Sequence, residues 1–466
     1  MSDHHNDNTE MFALKAGRLH SGARLATLTL SGRNPIATPN YIAVTSRGAV
    51  PHIAQDVFSK DTKIKGVYMA LTAYLQELKV IEKAPKETPP VFKYKPSDNA
   101  SPLRRFVALS DNSALILGPR RVPPVTAPTS NTRTSVAIFT SVGFSQLSVS
   151  DYSDAVVKLQ PDIVIGLGDI PVGPSSFSQK RSEAMTDRTT AWTPAQVKAI
   201  ASGLKDRHPP VFFAPLLPLP AETQRWYLEE LSGDSINGLA VYSTSTLDNL
   251  PEPLHRHPKL AFTEPESPQH LLRQIAQGID VFTIPFITTS SDAGIALDFH
   301  FPATSIDNSP PRPMGVDMWS EVHATDLSPL SEGCTCYACT DHHRAYLRHL
   351  LAAKEMLAWT LLQIHNHHIM DKFFEGVRTS LANDSFDNDC QTFERVYEPR
   401  LPDKTGQGPR LRGYQYRSEG PGETKRNPTV FNRLDDVAAK VAESADTNPI
   451  ADVKDVEATG FAEKSE

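Results

Sequence analysis

Three of the chain's four cysteines fall within six residues, Cys334-x-Cys336-x-x-Cys339, and a long helical run further on carries His365. Three thiolates and one imidazole make a closed, four-coordinate zinc site. Every coordination position is then a protein ligand, so one such ion per chain holds architecture and does not activate water. His342 and His343 lie close to Cys339, and a site of this kind takes its fourth ligand from a second element. His365 is the favoured fourth ligand and His368 its rival, while Cys390 stands alone and reads as a free or buried thiol.

That assignment constrains the elements around it. Residues 341–371 read as helical throughout, with Ala345, Leu347, Leu350, Leu351, Leu357, Leu361 and Ile364 available for an apolar face. In one straight helix His365 would stand roughly 39 Å from Cys339, whereas ligands of one zinc ion lie within about 4 Å of each other. The chain must therefore reverse, most simply near Ala352-Ala353-Lys354, into a helical hairpin. No Gly or Pro marks that reversal, so metal geometry is expected to set it.

Upstream, apolar strand-like runs recur at 136–139, 162–167, 211–214, 238–241 and 281–284. Between them lie stretches of helical length at 194–204, 221–231 and 268–277, two of which open on a proline suited to a first helical turn. Short buried strands alternating with helices argue for βα units and a parallel sheet. The expectation is an α/β fold, a (β/α)8 TIM barrel with an N-terminal β-rich segment and a zinc-binding helical subdomain inserted near the C-terminal end. The expected divisions are a disordered leader 1–11, a barrel 12–380 that includes the zinc subdomain 315–372, an irregular extension 381–433, and an acidic disordered tail 434–466.

The formal net charge is -7, which argues against a broadly basic surface that coats nucleic acid, DNA included. Residues 434–466 carry nine acidic side chains against three basic, so the body is close to neutral. Within 402–428, Arg410, Arg412 and Arg417 stand near Tyr414 and Tyr416, a mixture that suits RNA stacking but reads first as a solvated linker. Four cysteines, three of them clustered, fit a reducing compartment. No apolar run approaches the ~18 residues of a membrane span, and the polar leader is no secretory signal. The cytoplasm is the expected location.

Cys334-Thr-Cys336-Tyr-Ala-Cys339, then Arg344-Ala-Tyr-Leu-Arg-His349-Leu and Leu362-Gln-Ile-His365-Asn366, resembles the C-terminal zinc segment of tRNA-guanine transglycosylases, including the spacing to His365. The stretch 37–51 is similar to the corresponding segment of one eukaryotic branch, the accessory subunits. Weaker echoes are 113–118, Arg188-Thr-x-x-Trp192 and 238–241. The resemblance spans about residues 12 to 380. It implies a zinc-containing (β/α)8 barrel acting on tRNA, whose catalytic members exchange guanine for queuine or a precursor at wobble position 34 of GUN anticodons. There an aspartate attacks the ribose anomeric carbon and forms a covalent intermediate.

Carried over residue by residue, that chemistry is missing. Gly278-Ile-Asp280-Val-Phe282 matches the run before the nucleophile, yet Thr283 stands where the nucleophilic aspartate belongs. Gly168 takes the place of the base-recognition aspartate, with Asp169 one residue out of register. Ala214-Pro215 replaces a glutamine-glycine pair, Tyr242 and Ser243 replace an acidic residue, and 287–292 lacks the family's basic segment. Asp111 alone plausibly matches a catalytic-branch aspartate, and it reads equally well as a turn or N-cap residue.

The resemblance thus implies no catalytic residue. It implies an accessory subunit of a queuosine-forming enzyme that pairs with a catalytic subunit as a heterodimer and reaches tRNA through the complex. Peripheral association with the mitochondrial outer membrane goes with that reading. The alternative is an active transglycosylase with relocated aspartates, Asp280 or Asp169. A third reading is a small zinc module unrelated to the family, against which the long βα region speaks.

Overall fold

The computed structural model describes residues 11–409 apart from 18–21, 72–89, 97–99, 128–129, 141–142, 174–175, 205–207, 234–235 and 305–309. The expected tail, nearly all of the expected leader and most of the Arg/Tyr segment 402–428 lie outside the described residues.

Three antiparallel strands come first: β1 (Phe12–Gly17), β2 (Arg24–Leu28) and β3 (Ile36–Thr38). Then β4 (Asn40–Val44), β5 (Gly66–Ala70) and β6 (Ala114–Gly118) open a parallel barrel, and β7 (Ser135–Thr140) and β8 (Gly143–Ser148) form a hairpin outside it. The barrel is completed by β9 (Ile163–Ile165), β10 (Val211–Leu216), β11 (Gly238–Val241), β12 (Lys259–Ala261) and β13 (Val281–Thr283), which pairs back onto β4. This is the expected TIM barrel.

Both faces of the barrel strands are buried, as parallel sheets require, and the period of two divides them. Ile42, Tyr68, Ile116, Ile165, Phe213, Leu260 and Val281 fill one apolar cluster, inside the barrel. Ala43, Val67, Leu117, Val164, Leu239 and Phe282 belong to the other, under the surrounding helices. Phe12, Ala26, Leu28 and Ile36 join the inner cluster, so the β1–β3 sheet closes the N-terminal end of the barrel. Arg24 ties that cap down, bonding Asp280 just before β13 and the carbonyls of His255 and His257 just before β12.

Three expectations need correction. The run at 136–139 is not a barrel strand. It is followed almost at once by Gly143, so it pairs antiparallel with its neighbour instead of crossing over through a helix. Pro194 does not open a helix but lies inside the 25-residue helix Gln179–Gly203. It sits on the exposed face, where water can satisfy the carbonyl its missing N–H leaves free, while Thr189, Trp192, Gln196 and Ile200 bury the opposite face. The segment from 381, expected to be irregular, is helical over Phe386–Val396, where Phe386 and Phe393 pack at a tilt on Phe301, and Phe393 meets Phe299 and Phe373 edge-on.

After β13 the chain forms the helix Pro285–Ala293, the antiparallel pair β14 (Ile295–Leu297) and β15 (Gly315–Asp317), and the helices Tyr337–Asp341, Arg344–Ala352 and Met356–Ala382. Their own apolar cluster includes Ala296, Met318, Leu330, Leu347, Leu351, Trp359 and Leu362. The run 341–371 is thus interrupted and not continuous. Its main reversal falls at 353–355, where Lys354 takes a left-handed φ of 58°. The Lys354 N–H bonds the Leu351 carbonyl at 3.0 Å, and the Glu355 N–H bonds the Leu350 carbonyl at 2.9 Å. This is a Schellman turn with lysine where glycine is usual, so a local hydrogen-bond pattern supports the reversal alongside any metal.

Candidate metal centre and the mouth of the barrel

Cys336 is the N-cap of the helix Tyr337–Asp341, and the Cys339 N–H bonds its carbonyl at 3.0 Å, so one helical turn carries both sulfurs to one side. The Cys334 N–H, bonded to Ser331 O at 3.3 Å, brings the third sulfur in from the preceding loop. The hairpin returns the helix Met356–Ala382 and places His365, wholly buried, against all three. The ligand atoms of Cys334, Cys336, Cys339 and His365 lie within 4.8 Å of one another.

The His365 Nδ1 lies 3.7, 3.5 and 3.3 Å from the sulfurs of Cys334, Cys336 and Cys339. A tetrahedral zinc ion at about 2.3 Å from sulfur and about 2.0 Å from nitrogen would separate those atoms by about 3.6 Å. The residues therefore fit one metal ion of the zinc class. Packed this closely without a cation, the thiols cannot ionise together: hydrogen bonds with Cys334 and Cys339 push Cys336 far above its ordinary range, and those with Cys334 and Cys336 hold Cys339 far below. A divalent cation removes that conflict, because each cysteine then binds as thiolate and His365 as neutral imidazole.

The second shell selects the ligating nitrogen. His365 Nε2 donates to the Leu297 carbonyl at 2.9 Å, which leaves Nδ1 with a lone pair for a metal. The rival histidines are turned elsewhere. His367 bonds the Tyr41 hydroxyl and Gln363, and burial lowers its pKa to about 3. His368 lines a cleft with Lys63, Asp371 and Arg378. Asn366, which sequence reasoning quoted only as part of a motif, holds β14 from the same helix. Its side chain accepts from Leu297 N–H at 2.8 Å and donates to Ser291 and to the Ile295 carbonyl.

Ligands of (β/α)8 barrels bind at the C-terminal ends of the strands. At the end of β13, Thr283 is fully buried and its hydroxyl donates to the Ala261 carbonyl at 2.9 Å, so the oxygen is committed to the barrel wall. Asp280 lies at the opposite, N-terminal end, fully buried and paired with Arg24 at 2.6 Å. Asp169, just past β9, is also fully buried and held from three sides by Asn131, Arg181 and Arg188 at 2.7, 2.7 and 2.9 Å. Neither carboxylate is free to act on a substrate.

Asp111 is a turn residue, the second of the two readings its sequence context allows. It precedes β6, at the N-terminal side of the barrel, and pairs with Arg105 at 3.4 Å. The mouth end of β6 is Gly118, where any side chain would collide with the Tyr68 ring and hydroxyl. Tyr68 packs edge-on against Phe262, and Tyr242 stacks on the same Phe262 with ring centres 5.3 Å apart. Three aromatic rings thus meet at the mouth, and burial pushes the Tyr242 phenol up to about 12. Sequence reasoning had Tyr242 as a missing acid but had no signal for the ring stack, which depends on three strands meeting.

Among the described residues no helix is long and apolar enough to cross a membrane. The family profile described as queuine tRNA-ribosyltransferase matches residues 20–399. A curated relative from Schizosaccharomyces pombe, named queuine tRNA-ribosyltransferase accessory subunit 2, is 35% identical over 404 residues, covering 85% of this chain and 86% of its own. Proteins of the same name from Drosophila grimshawi and Xenopus tropicalis are 28% and 26% identical, covering 80% and 79% of this chain and 89% and 96% of their own.

Proposed function

The chain belongs to the queuine tRNA-ribosyltransferase family, and we propose that within it this protein is a subunit without catalysis of its own. It joins a catalytic subunit, as a heterodimer, in exchanging guanine for queuine at wobble position 34 of tRNAs with GUN anticodons. Its contribution is to support that partner and the binding of tRNA. One zinc ion on Cys334, Cys336, Cys339 and His365 holds the helical subdomain of this scaffold. The cytoplasm, with peripheral attachment to the mitochondrial outer membrane, is the location that goes with this role.

The observation that carries the proposal is the contrast between the two sites. Four ligand side chains are placed to bind a metal, while the mouth offers a committed threonine at 283 and a carboxylate at 169 already shared by two arginines. A hydroxyl bonded to the barrel wall is a poor nucleophile without a base beside it. The names of the relatives support an accessory role. The reading that Asp280 or Asp169 has taken over catalysis is disfavoured by the ion pairs that occupy both.

A partner needs a surface, and the exposed apolar side chains are unevenly placed. Of the seven large ones among the described residues, Val322, Leu327, Tyr337, Met356 and Leu357 fall between 322 and 357, around the metal cluster. The partner's docking face is proposed to lie on this segment, since exposed apolar side chains mark an interaction site where they are contiguous.

The test is to purify the chain alone and together with the catalytic subunit, then measure native mass and guanine exchange into tRNA. Activity is expected only when the catalytic subunit is present, in a complex of one copy of each. Exchange by the isolated chain, abolished by Thr283→Ala, would overturn the proposal.

A further inference from the structure

Arg120 and Arg121 follow β6 directly, at the C-terminal end of the barrel. The Arg120 carbonyl accepts from the Tyr68 hydroxyl, and the Arg120 guanidinium reaches the residue that follows Asp169. Its side chain bonds the Ile170 carbonyl, and its Nε is buried without an acceptor. A guanidinium carries five N–H donors, so most of them have no partner among the described residues. Arg121 is half-buried and has no hydrogen bond or ion pair among the described residues.

Among the described residues the local charge does not balance. Asp169, next to Ile170, has both oxygens taken by Arg181 and Arg188. No acid among the described residues forms an ion pair with Arg120 or Arg121. Arg120 is half-buried, but its Nε is a buried donor, costly to leave unpaired unless something else completes it. In a chain whose formal net charge is -7, this local excess is out of character.

We infer that the mouth of this barrel binds a phosphate-class oxyanion, held by Arg120 with Arg121 at its rim. The forked, planar donors of arginine match such an oxyanion two bonds at a time. The C-terminal ends of the strands are also where barrels of this fold bind their ligands. The inference stands whether or not the chain is catalytic.

The full zinc-loaded chain is titrated with inorganic phosphate at constant ionic strength, with chloride as the balancing anion, while heat release and thermal midpoint are followed. Saturable binding is expected in the parent, with at least a tenfold loss in both Arg120→Gln and Arg121→Gln. Arg225→Gln, which alters an exposed pair with Glu229, is expected to bind as the parent does. Arg121→Gln keeps the test decisive if Arg120→Gln fails to fold. A short single-stranded oligoribonucleotide then separates the two sources: competition with phosphate assigns the site to a nucleic-acid backbone, and its absence to a free phosphate. No saturable binding of either probe by the parent, or unchanged binding in Arg121→Gln, overturns the inference.

Discussion

The imidazole of His365 donates from Nε2 to the carbonyl of Leu297 at 2.9 Å, and that bond turns Nδ1 toward three sulfurs. Metal ligation and the β14 strand are thereby coupled through one ring. His365→Ala is expected to lower zinc from about one ion per chain to near zero and to cost several kcal/mol of stability, since metal binding of this kind is folding free energy. Metal analysis by mass spectrometry and urea unfolding check both halves. A variant that keeps its zinc would move the fourth ligand elsewhere.

Asn366 makes three buried hydrogen bonds to the segment 291–297. Asn366→Ala would leave the Leu297 N–H buried and unpaired, at a cost of about 3 kcal/mol. Chemical denaturation measures it. A loss under about 0.5 kcal/mol would show that water replaces the amide.

Asp169 separates the two functional readings. As the shared counter-ion of Arg181 and Arg188, its replacement in Asp169→Asn is expected to destabilise the chain by about 3 kcal/mol. Guanine exchange by the assembled complex should be unchanged once the protein is folded. Loss of exchange at unaltered stability would instead reveal a catalytic group.

Lys354 adopts a left-handed φ of 58° at the hairpin turn. Glycine pays no Cβ penalty there, so Lys354→Gly should raise stability by about 1 kcal/mol with zinc content unaltered. A thermal midpoint at or below that of the parent would mean that the lysine stem contributes packing of its own.

Asp371 predicts a pH dependence. Burial raises its carboxyl to about 6, outweighing the hydrogen bond from Tyr41 and the charge of Lys63. A folded pKa above the unfolded value means that the folded state holds the proton more tightly. This group's contribution to stability is therefore present below about pH 4 and is lost as pH rises toward 6. Asp371→Asn should flatten the stability profile between pH 4 and 6, and an unchanged slope would assign it to another group.

The metal cluster was legible because Cys334, Cys336 and Cys339 are close in sequence and zinc distances are strict enough to demand the reversal before His365. The barrel class was legible from its rhythm of buried strands, but not its roster. Lys259–Ala261 is too short to stand out, and 136–139 is apolar enough to mislead. The helix Phe386–Val396 was missed because its acids and amides dominate the segment, while two phenylalanines two turns apart on one face, Phe386 and Phe393, decide its packing. The roles of Asp169, Asp280 and Asp111 were beyond sequence spacing. Each depends on which end of the barrel it occupies and which arginine reaches it.

Gly118 and Tyr68 share one volume at the mouth, since any Cβ at 118 would enter the tyrosine ring. The two positions therefore act as one unit of space. A larger residue at 118 is accommodated only if the Tyr68 ring swings aside or is cut back, and cutting it back leaves an apolar void. Substitutions at 68 and 118 are thus expected to be non-additive, each deciding what the other costs.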